Sequence, residues 1–310
     1  MIVALAGGTG AAKLLRGLAR ATEPSRLFIV GNTGDDLDWW GLRVSPDLDS
    51  VAYALAGLLD ATRGWGVRDD TFQCLEAMSR LGRETWFRLG DQDLATHLHR
   101  TLMLRGGASL TAATRAITDA LGVTARLVPM SDEPVRTELR TDKGWLTLEE
   151  FFVRERCAPE VFEVAYRGAE DARPAPDVLP AIGAAEAIVV CCSNPVTSIG
   201  PILAVPGIVD ALGRTAAPVI AVSPIVGGRA VSGPAAKLLA ARGLDASPLG
   251  VARAYRPWLD ALVMDPADAA LASDLERDGV RPVIADAFMP DGAGETRLAR
   301  VVLDAVGVAA

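Results

Sequence analysis

Histidine is scarce in this chain, two residues among 310, and the four cysteines, Cys74, Cys157, Cys191 and Cys192, show no metal-ligand spacing. A cysteine and histidine zinc centre is therefore excluded. Long apolar runs are missing too: none could cross a bilayer. The N-terminal strand also lacks the basic flank and small-residue cleavage site of an export signal. Positive charge is in deficit, with 31 lysines and arginines against 39 aspartates and glutamates for a net −8, which argues against the basic face of a general nucleic-acid binder. No Gly-x-Ser-x-Gly elbow occurs, and no cysteine has an evident histidine partner, so a covalent nucleophile is not indicated. These absences point to a cytoplasmic protein with reduced core cysteines. Any phosphate ligand must be held by backbone dipoles, a few basic side chains or a metal.

What is present begins at the N-terminus. Ile2 to Ala6 is an unbroken apolar run suited to a parallel strand covered on both faces. Gly7-Gly8-Thr9-Gly10 follows at once, then a helix-like run from Ala11 to Ala19. Glycines there let the backbone turn sharply and bring bare amides close to an anion at the positive end of the helix. Read as GxGxxG, the third glycine position is Lys13, and the Gly-Lys-Ser/Thr ending of a P-loop is absent. The bland alternative is an ordinary tight turn into a helix.

Further along, apolar strand candidates alternate with helical periods, the pattern of βαβ units. Strands are expected at Leu27 to Val30, Ala187 to Cys192, Pro218 to Val222, Leu259 to Met264 and Pro282 to Ala285. Arg126 to Met130, Val135 to Arg140 and Trp145 to Leu148 are strand-like, the last two as a hairpin. Half of the residues are hydrophobic, enough for a sizeable core. The expected fold class is α/β, with a Rossmann-like, mainly parallel sheet and a small β hairpin region. One domain over residues 1–310 is expected, with a mostly helical insertion at about 50–122 and a connection between halves at Gly168 to Pro180.

Three loops concentrate the chemistry. Asn32, Asp35 and Asp36 follow the second strand, and Ser45-Pro46-Asp47-Leu48-Asp49 comes soon after. Carboxylates gathered beside a phosphate cradle suit a hard divalent cation that shares oxygen ligands with substrate phosphates. Alternatively, Asp47 or Asp49 caps a helix beginning near Ser50. In the second loop, Gly90-Asp91-Gln92-Asp93 reads as a turn and cap, which leaves Arg88 and Arg100 beside it unexplained. His97 and His99 would diverge on a helix, so each is expected to be partly buried and hydrogen-bonded rather than to share a metal. The third set, Ser193-Asn194-Pro195 and Ser223-Pro224, ends two buried strands, where hydroxyls and amides can read a nucleotide.

Together, Gly7-Gly8-Thr9-Gly10, Asn32 with Asp35, Ser45 to Asp49, Arg63-Gly64-Trp65-Gly66, Leu89 to His97, Met130-Ser131-Asp132, Ser193-Asn194-Pro195 and Ser223-Pro224-Ile225 resemble the 2-phospho-L-lactate transferases of deazaflavin coenzyme (F-420) biosynthesis. The resemblance implies transfer of a phospholactyl group from a guanosine diphosphate conjugate to the deazaflavin Fo, with release of GMP, dependence on Mg2+, and a homodimer. Relatives using a phosphoenolpyruvyl or phosphoglyceryl conjugate leave the three-carbon group open. Asp49 would contact the deazaflavin, with Arg88 where the family often has lysine. On this reading Gly7, Gly8, Thr9, Gly10 and Asn32 hold the diphosphate, Asp35 or Asp49 binds magnesium and aids proton removal, and Ser193, Asn194 and Ser223 serve the guanosine side. A nucleotide-binding regulatory protein resembling gluconeogenesis factors is the alternative; a nicotinamide oxidoreductase is disfavoured by Lys13 and Asn32.

Overall fold

The computed structural model, which describes residues 1–309, turns the apolar N-terminal run into β1 (Ile2–Ala6), every residue of it buried. Gly7 leads into α1 (Gly8–Ala21), and the chain returns as β2 (Leu27–Gly31). A short hairpin, β3 (Leu37–Trp39) and β4 (Leu42–Val44), precedes α2 (Pro46–Leu55), α3 (Gln73–Arg80), α4 (Asp91–Arg105), α5 (Leu110–Ala120) and β5 (Arg126–Pro129). Next comes a separate antiparallel sheet of β6 (Arg136–Thr141), β7 (Gly144–Thr147) and β8 (Val161–Arg167), ordered β7-β6-β8. The chain then regains the main layer through α6 (Val178–Gly183), β9 (Ala187–Val190), α7 (Gly200–Ala204), α8 (Ile208–Arg214) and β10 (Val219–Val222). It continues through a hairpin of β11 (Ile225–Val226) and β12 (Arg229–Ala230), α9 (Ala235–Ala241), α10 (Pro248–Ala254), β13 (Ala261–Met264), α11 (Ala272–Arg277), β14 (Arg281–Ile284) and α12 (Gly292–Ala305).

The main sheet has seven strands in the order β14-β13-β10-β9-β1-β2-β5, all parallel. Successive side chains of β1 feed opposite cores, as the pleat requires. Ile2, Ala4 and Ala6 join Leu14, Leu15 and Leu18 of α1 and Leu298 and Val302 of α12, whereas Val3 and Leu5 join Phe151, Ile182, Ile199 and Ile202. α1 approaches α12 closely at Gly17, where a Cβ would lie 2.2 Å from the Glu295 carbonyl oxygen. Arg16 and Arg20 of α1 both pair with the buried Glu295 carboxylate.

Between Ser50 and Gly122 the described chain is mostly helical, joined by a turn-rich stretch with one isolated bridge, Leu59 to Val67. One expectation is corrected, and two elements are added to those expected. The helix expected near Ser50 begins at Pro46, whose fixed φ suits a first helical position. Asp47 and Asp49 therefore lie inside its first turn instead of capping it. The hairpin at 37–44 was not legible, and it turns on Trp40 and Gly41, both at positive φ. The 135–148 hairpin gains a third strand, β8, just before the 168–180 connection. No single helix among the described residues is long and apolar enough to cross a membrane.

Candidate active site

Strand order reverses between β1 and β9, so the loops leaving their carboxyl ends part and open a crevice. A cavity of about 910 Å³ lies there, lined by Gly7 to Gly10 and Lys13, by Asp35, Asp47, Asp49 and Glu149, and by Ser193, Asn194, Thr197 and Ser223 from later strand ends. Trp65, Trp86, Phe87 and Phe152 add an aromatic portion to the same lining.

The glycine turn serves both packing and binding. At Gly7 a Cβ would lie 2.4 Å from Asp47 Oδ2 and 2.7 Å from Ser198 Cβ, and at Gly10 2.5 Å from the Cys192 carbonyl oxygen. Gly8 takes φ +72, a left-handed conformation that glycine adopts without cost. The Gly7 amide donates to Ser193 Oγ at 3.2 Å, and the Gly8 amide supports the Asp47 carboxylate. The Thr9 and Gly10 amides, in the first turn of α1, are left to face an anion.

Beside them stands an acid wall. Asn32 Nδ2 donates to Asp47 Oδ2 at 2.8 Å and to Asp35 Oδ1 at 3.4 Å, drawing the two carboxylates together. Burial, and then the charges of Asp47, Glu149 and Asp36, push Asp35 well above the ordinary carboxyl range. Burial raises Asp47 to about 6 against the hydrogen bonds of Asn32, Asp35 and the Gly8 amide. Glu149, which enters from the segment after β7, is pushed to about 8 by burial and by Asp47. Among the described residues no lysine or arginine pairs with any of the three.

A second polar group is built differently, because its charges are already matched. Arg100 is only 1% exposed, and its guanidinium donates through Nη1 to Asp49 Oδ2 at 3.0 Å and through Nη2 to Asp49 Oδ1. His97 stands between two acids, with Nδ1 3.5 Å from Asp49 Oδ2 and Nε2 3.3 Å from Asp93 Oδ1. Tyr53 donates to Asp93 Oδ1 at 2.8 Å. Burial pushes Asp93 up, but His97, Tyr53 and Arg100 outweigh it and hold this acid below the usual range. One oxygen or nitrogen each from Asp49, Asp93 and His97 fall within 4.8 Å of one another, so this trio could also hold a metal ion. The Arg100 charge beside it opposes that use.

Cations border the rest of the cavity. Lys13 Nζ donates to the Met289 carbonyl at 3.2 Å. Arg63 is tied by Asp60 at 2.8 Å, while Arg88 is exposed and stacks 4.7 Å from the Phe72 ring centre.

The profile of the family described as 2-phospho-L-lactate transferase CofD matches residues 2–303. The chain belongs to the 2-phospho-L-lactate transferase family. It is 42% identical over 309 residues to the phosphoenolpyruvate transferase of Streptomyces griseus, covering 98% of this chain and 97% of that protein. It is 41% identical over 304 residues to the 2-phospho-L-lactate transferase of Methanosarcina mazei, covering 98% and 100%. A crystal structure of a UPF0052 family member from Bacillus halodurans shares the fold, with TM-score 0.63 at 16% identity over 97% of this chain and 98% of that one. This member of the family is thus an enzyme, a transferase of the phospholactate and phosphoenolpyruvate transferase group.

The cavity of this transferase brings together Gly7, Gly8, Thr9, Gly10, Asp35, Asp49, Arg88, Ser193, Asn194 and Ser223 from the residues expected to form the site. Asn32 does not line it: the residue is fully buried and its amide also reaches the Thr197 carbonyl at 3.3 Å. It positions carboxylates instead of facing a ligand. Asn194 Oδ1 caps the turn at Val196 and Thr197, and Ser223 Oγ is engaged by Ile225 as both donor and acceptor. Asp36 turns away toward Ser45 and Arg43. His97 is buried while His99 is exposed, so the pair diverges as the spacing requires, although only one histidine is enclosed. Sequence reasoning missed Glu149 and the joint use of Asp93, His97 and Arg100. An i, i+4, i+7 spacing on one face of α4 was the available signal for the second set.

Proposed function

We propose that this transferase moves a phospholactyl or phosphoenolpyruvyl group from a guanosine diphosphate conjugate to the deazaflavin Fo, releasing GMP, in coenzyme F-420 biosynthesis. We further propose that it works with magnesium, as a homodimer, in the cytoplasm, where its four free thiols would stay reduced. The observation that carries the reading is one cavity of about 910 Å³ containing an anion cradle, an unpaired acid wall and an aromatic portion. That volume is at the upper end of ligand pockets, as two substrates side by side require. The names of the relatives from Streptomyces griseus and Methanosarcina mazei support the group transferred.

The residues present fit magnesium. Asp35 and Asp47 would hold it, since they offer hard oxygen donors without an ion-pair partner, next to amides suited to phosphate. Bound there, the ion would neutralise charge on the diphosphate as the leaving group departs. The Thr9 and Gly10 amides and Lys13 would hold the diphosphate, with the Ser193 and Ser223 loops on the guanosine side. The aromatic residues and Arg88 would take the deazaflavin ring, with Asp49 at the acceptor. A primary hydroxyl of the acceptor's ribityl chain then attacks the phosphorus bearing the three-carbon group, and the bond from that phosphorus to GMP breaks. Its proton passes to the Asp49 carboxylate, which Arg100 fixes in place, as a positioned aspartate serves other phosphoryl transfers.

The test is mass spectrometry after incubating the enzyme with Fo, magnesium and each guanosine conjugate. Fo gaining the phosphorylated three-carbon group, with stoichiometric GMP, is the expected result. Binding of the conjugate with neither transfer nor Fo binding would identify a nucleotide-binding regulatory protein instead.

A further inference from the structure

The turn Arg63-Gly64-Trp65-Gly66 joins the two portions of the cavity. Thr9 Oγ1 donates to the Gly64 carbonyl at 2.9 Å, which ties the turn to the anion cradle, and Trp65 belongs to the aromatic lining. Arg63 stands immediately before this tie and lines the cavity too. Its guanidinium is fixed in orientation. Nε donates to Asp60 Oδ2 at 2.8 Å and Nη2 to the Val67 carbonyl at 2.8 Å, while its carbon lies 5.3 Å from the Trp65 ring centre and 5.1 Å from that of Phe72. The turn thus engages two of the three nitrogens. Nη1 donates to no protein atom among the described residues, and 26% of the side chain stays exposed.

The groups named for the two relatives, phosphoenolpyruvate and 2-phospho-L-lactate, both carry a carboxylate beside the phosphate. Such an anion would enter a cavity already lined by Asp35, Asp47, Asp49 and Glu149, where it needs a cation. Lys13, Arg63 and Arg88 are the lysines and arginines of that lining. Lys13 lies on the cradle helix beside the diphosphate position, and Arg88 is exposed and stacked on Phe72. We propose that Arg63 binds the carboxylate of the three-carbon group through Nη1 and so selects donors that carry an acid. This rests on the transferase reading given above. The three-carbon group hangs from the phosphorus at which donor and acceptor meet, and Arg63 sits where the cradle and the aromatic portion are joined. Because Asp60 and Val67 already hold the guanidinium, little freedom is lost when it binds.

Calorimetry with magnesium and without Fo reads donor affinity in the absence of turnover. Two ligands are compared: the phospholactyl guanosine diphosphate conjugate and its carboxamide analogue, which keeps the size and both phosphates but loses the charge of the acid. The parent should bind the conjugate about 10- to 100-fold more tightly than the amide, the range of a hydrogen bond to a charged group. Arg63→Gln should lose most of that preference, with affinity for the amide nearly unchanged. Arg63→Lys keeps the charge but not the fork, so it should fall between the two, and it carries the test if Arg63→Gln does not fold. Equal weakening of both ligands by Arg63→Gln would mean that Arg63 only shapes the turn, and would refute the proposal. A preference retained in full by both variants refutes it as well and leaves the transferase reading standing, as does a parent that binds the two ligands alike. If the parent binds neither, the donor assignment fails and the role of Arg63 with it.

Discussion

Asp49 is the side chain on which the chemistry converges, because Arg100 engages both of its oxygens while it still lines the cavity. Asp49→Asn removes the proton acceptor, so turnover should fall by about 10²- to 10⁴-fold, and because it leaves the buried Arg100 guanidinium without its charge partner the melting temperature should fall as well. Near-parental turnover at saturating magnesium would remove Asp49 from the mechanism. Arg100→Leu should act on stability as well as on turnover. It strands Asp49 in a buried setting, a change that typically costs about 3–5 kcal/mol, readable by urea denaturation. The wall titrates as well. A cation must displace the protons that burial holds on Asp35 and on Asp47 near 6, so magnesium affinity should climb with pH through that range. Calorimetry in buffers of different ionisation enthalpy would detect the released protons, and a pH-independent affinity would contradict the assignment.

At the scale of elements, the turn from β1 to α1 carries the donor. Gly8→Ala forces a side chain into the left-handed region, costing about 1–2 kcal/mol, and places its methyl in contact with the Asp47 carboxylate at 3.5 Å. Affinity for the guanosine conjugate should drop more than affinity for Fo in parallel titrations; equal losses would indicate general misfolding. The same turn was plain in the sequence because continuous apolar runs and glycines state their conformations locally. The parallel strands were legible for that reason, with ends shifted by a residue or two, as at Ala261 and Arg281. β3 and β4 were not, since three-residue strands carry no period and their turn places Trp40 at positive φ. Asp47 was visible as an acid but not as part of the wall, because Pro46 starts α2 four residues earlier than expected. Glu149 gave no local signal at all: its place depends on how the small sheet packs against the cradle.

For the molecule as a whole, the reversal of strand order at β1 and β9 puts cradle, acids and aromatic lining in one crevice, and the acids there oppose folding when no cation is bound. Asp35, Asp47 and Glu149 all bind protons more tightly folded than an unfolded chain would, whose carboxyls titrate near 4. The folded state therefore holds extra protons between about pH 4 and 8, and the metal-free protein should lose stability as pH rises through that window. Magnesium should raise the melting temperature more at the top of this window than at its bottom, and an equal or reversed increment would contradict the wall. The most direct test of the central claim is GMP release and Fo modification by metal-stripped enzyme, with cations returned one at a time. Stripped enzyme should be inactive, magnesium and manganese should restore it, calcium should restore it poorly because its longer bonds misplace the phosphorus, and Asp47→Asn should respond to none. Full turnover in the stripped enzyme would contradict the account, leaving the acid wall as a hydrogen-bonded support and the charge neutralisation to Lys13 and the arginines.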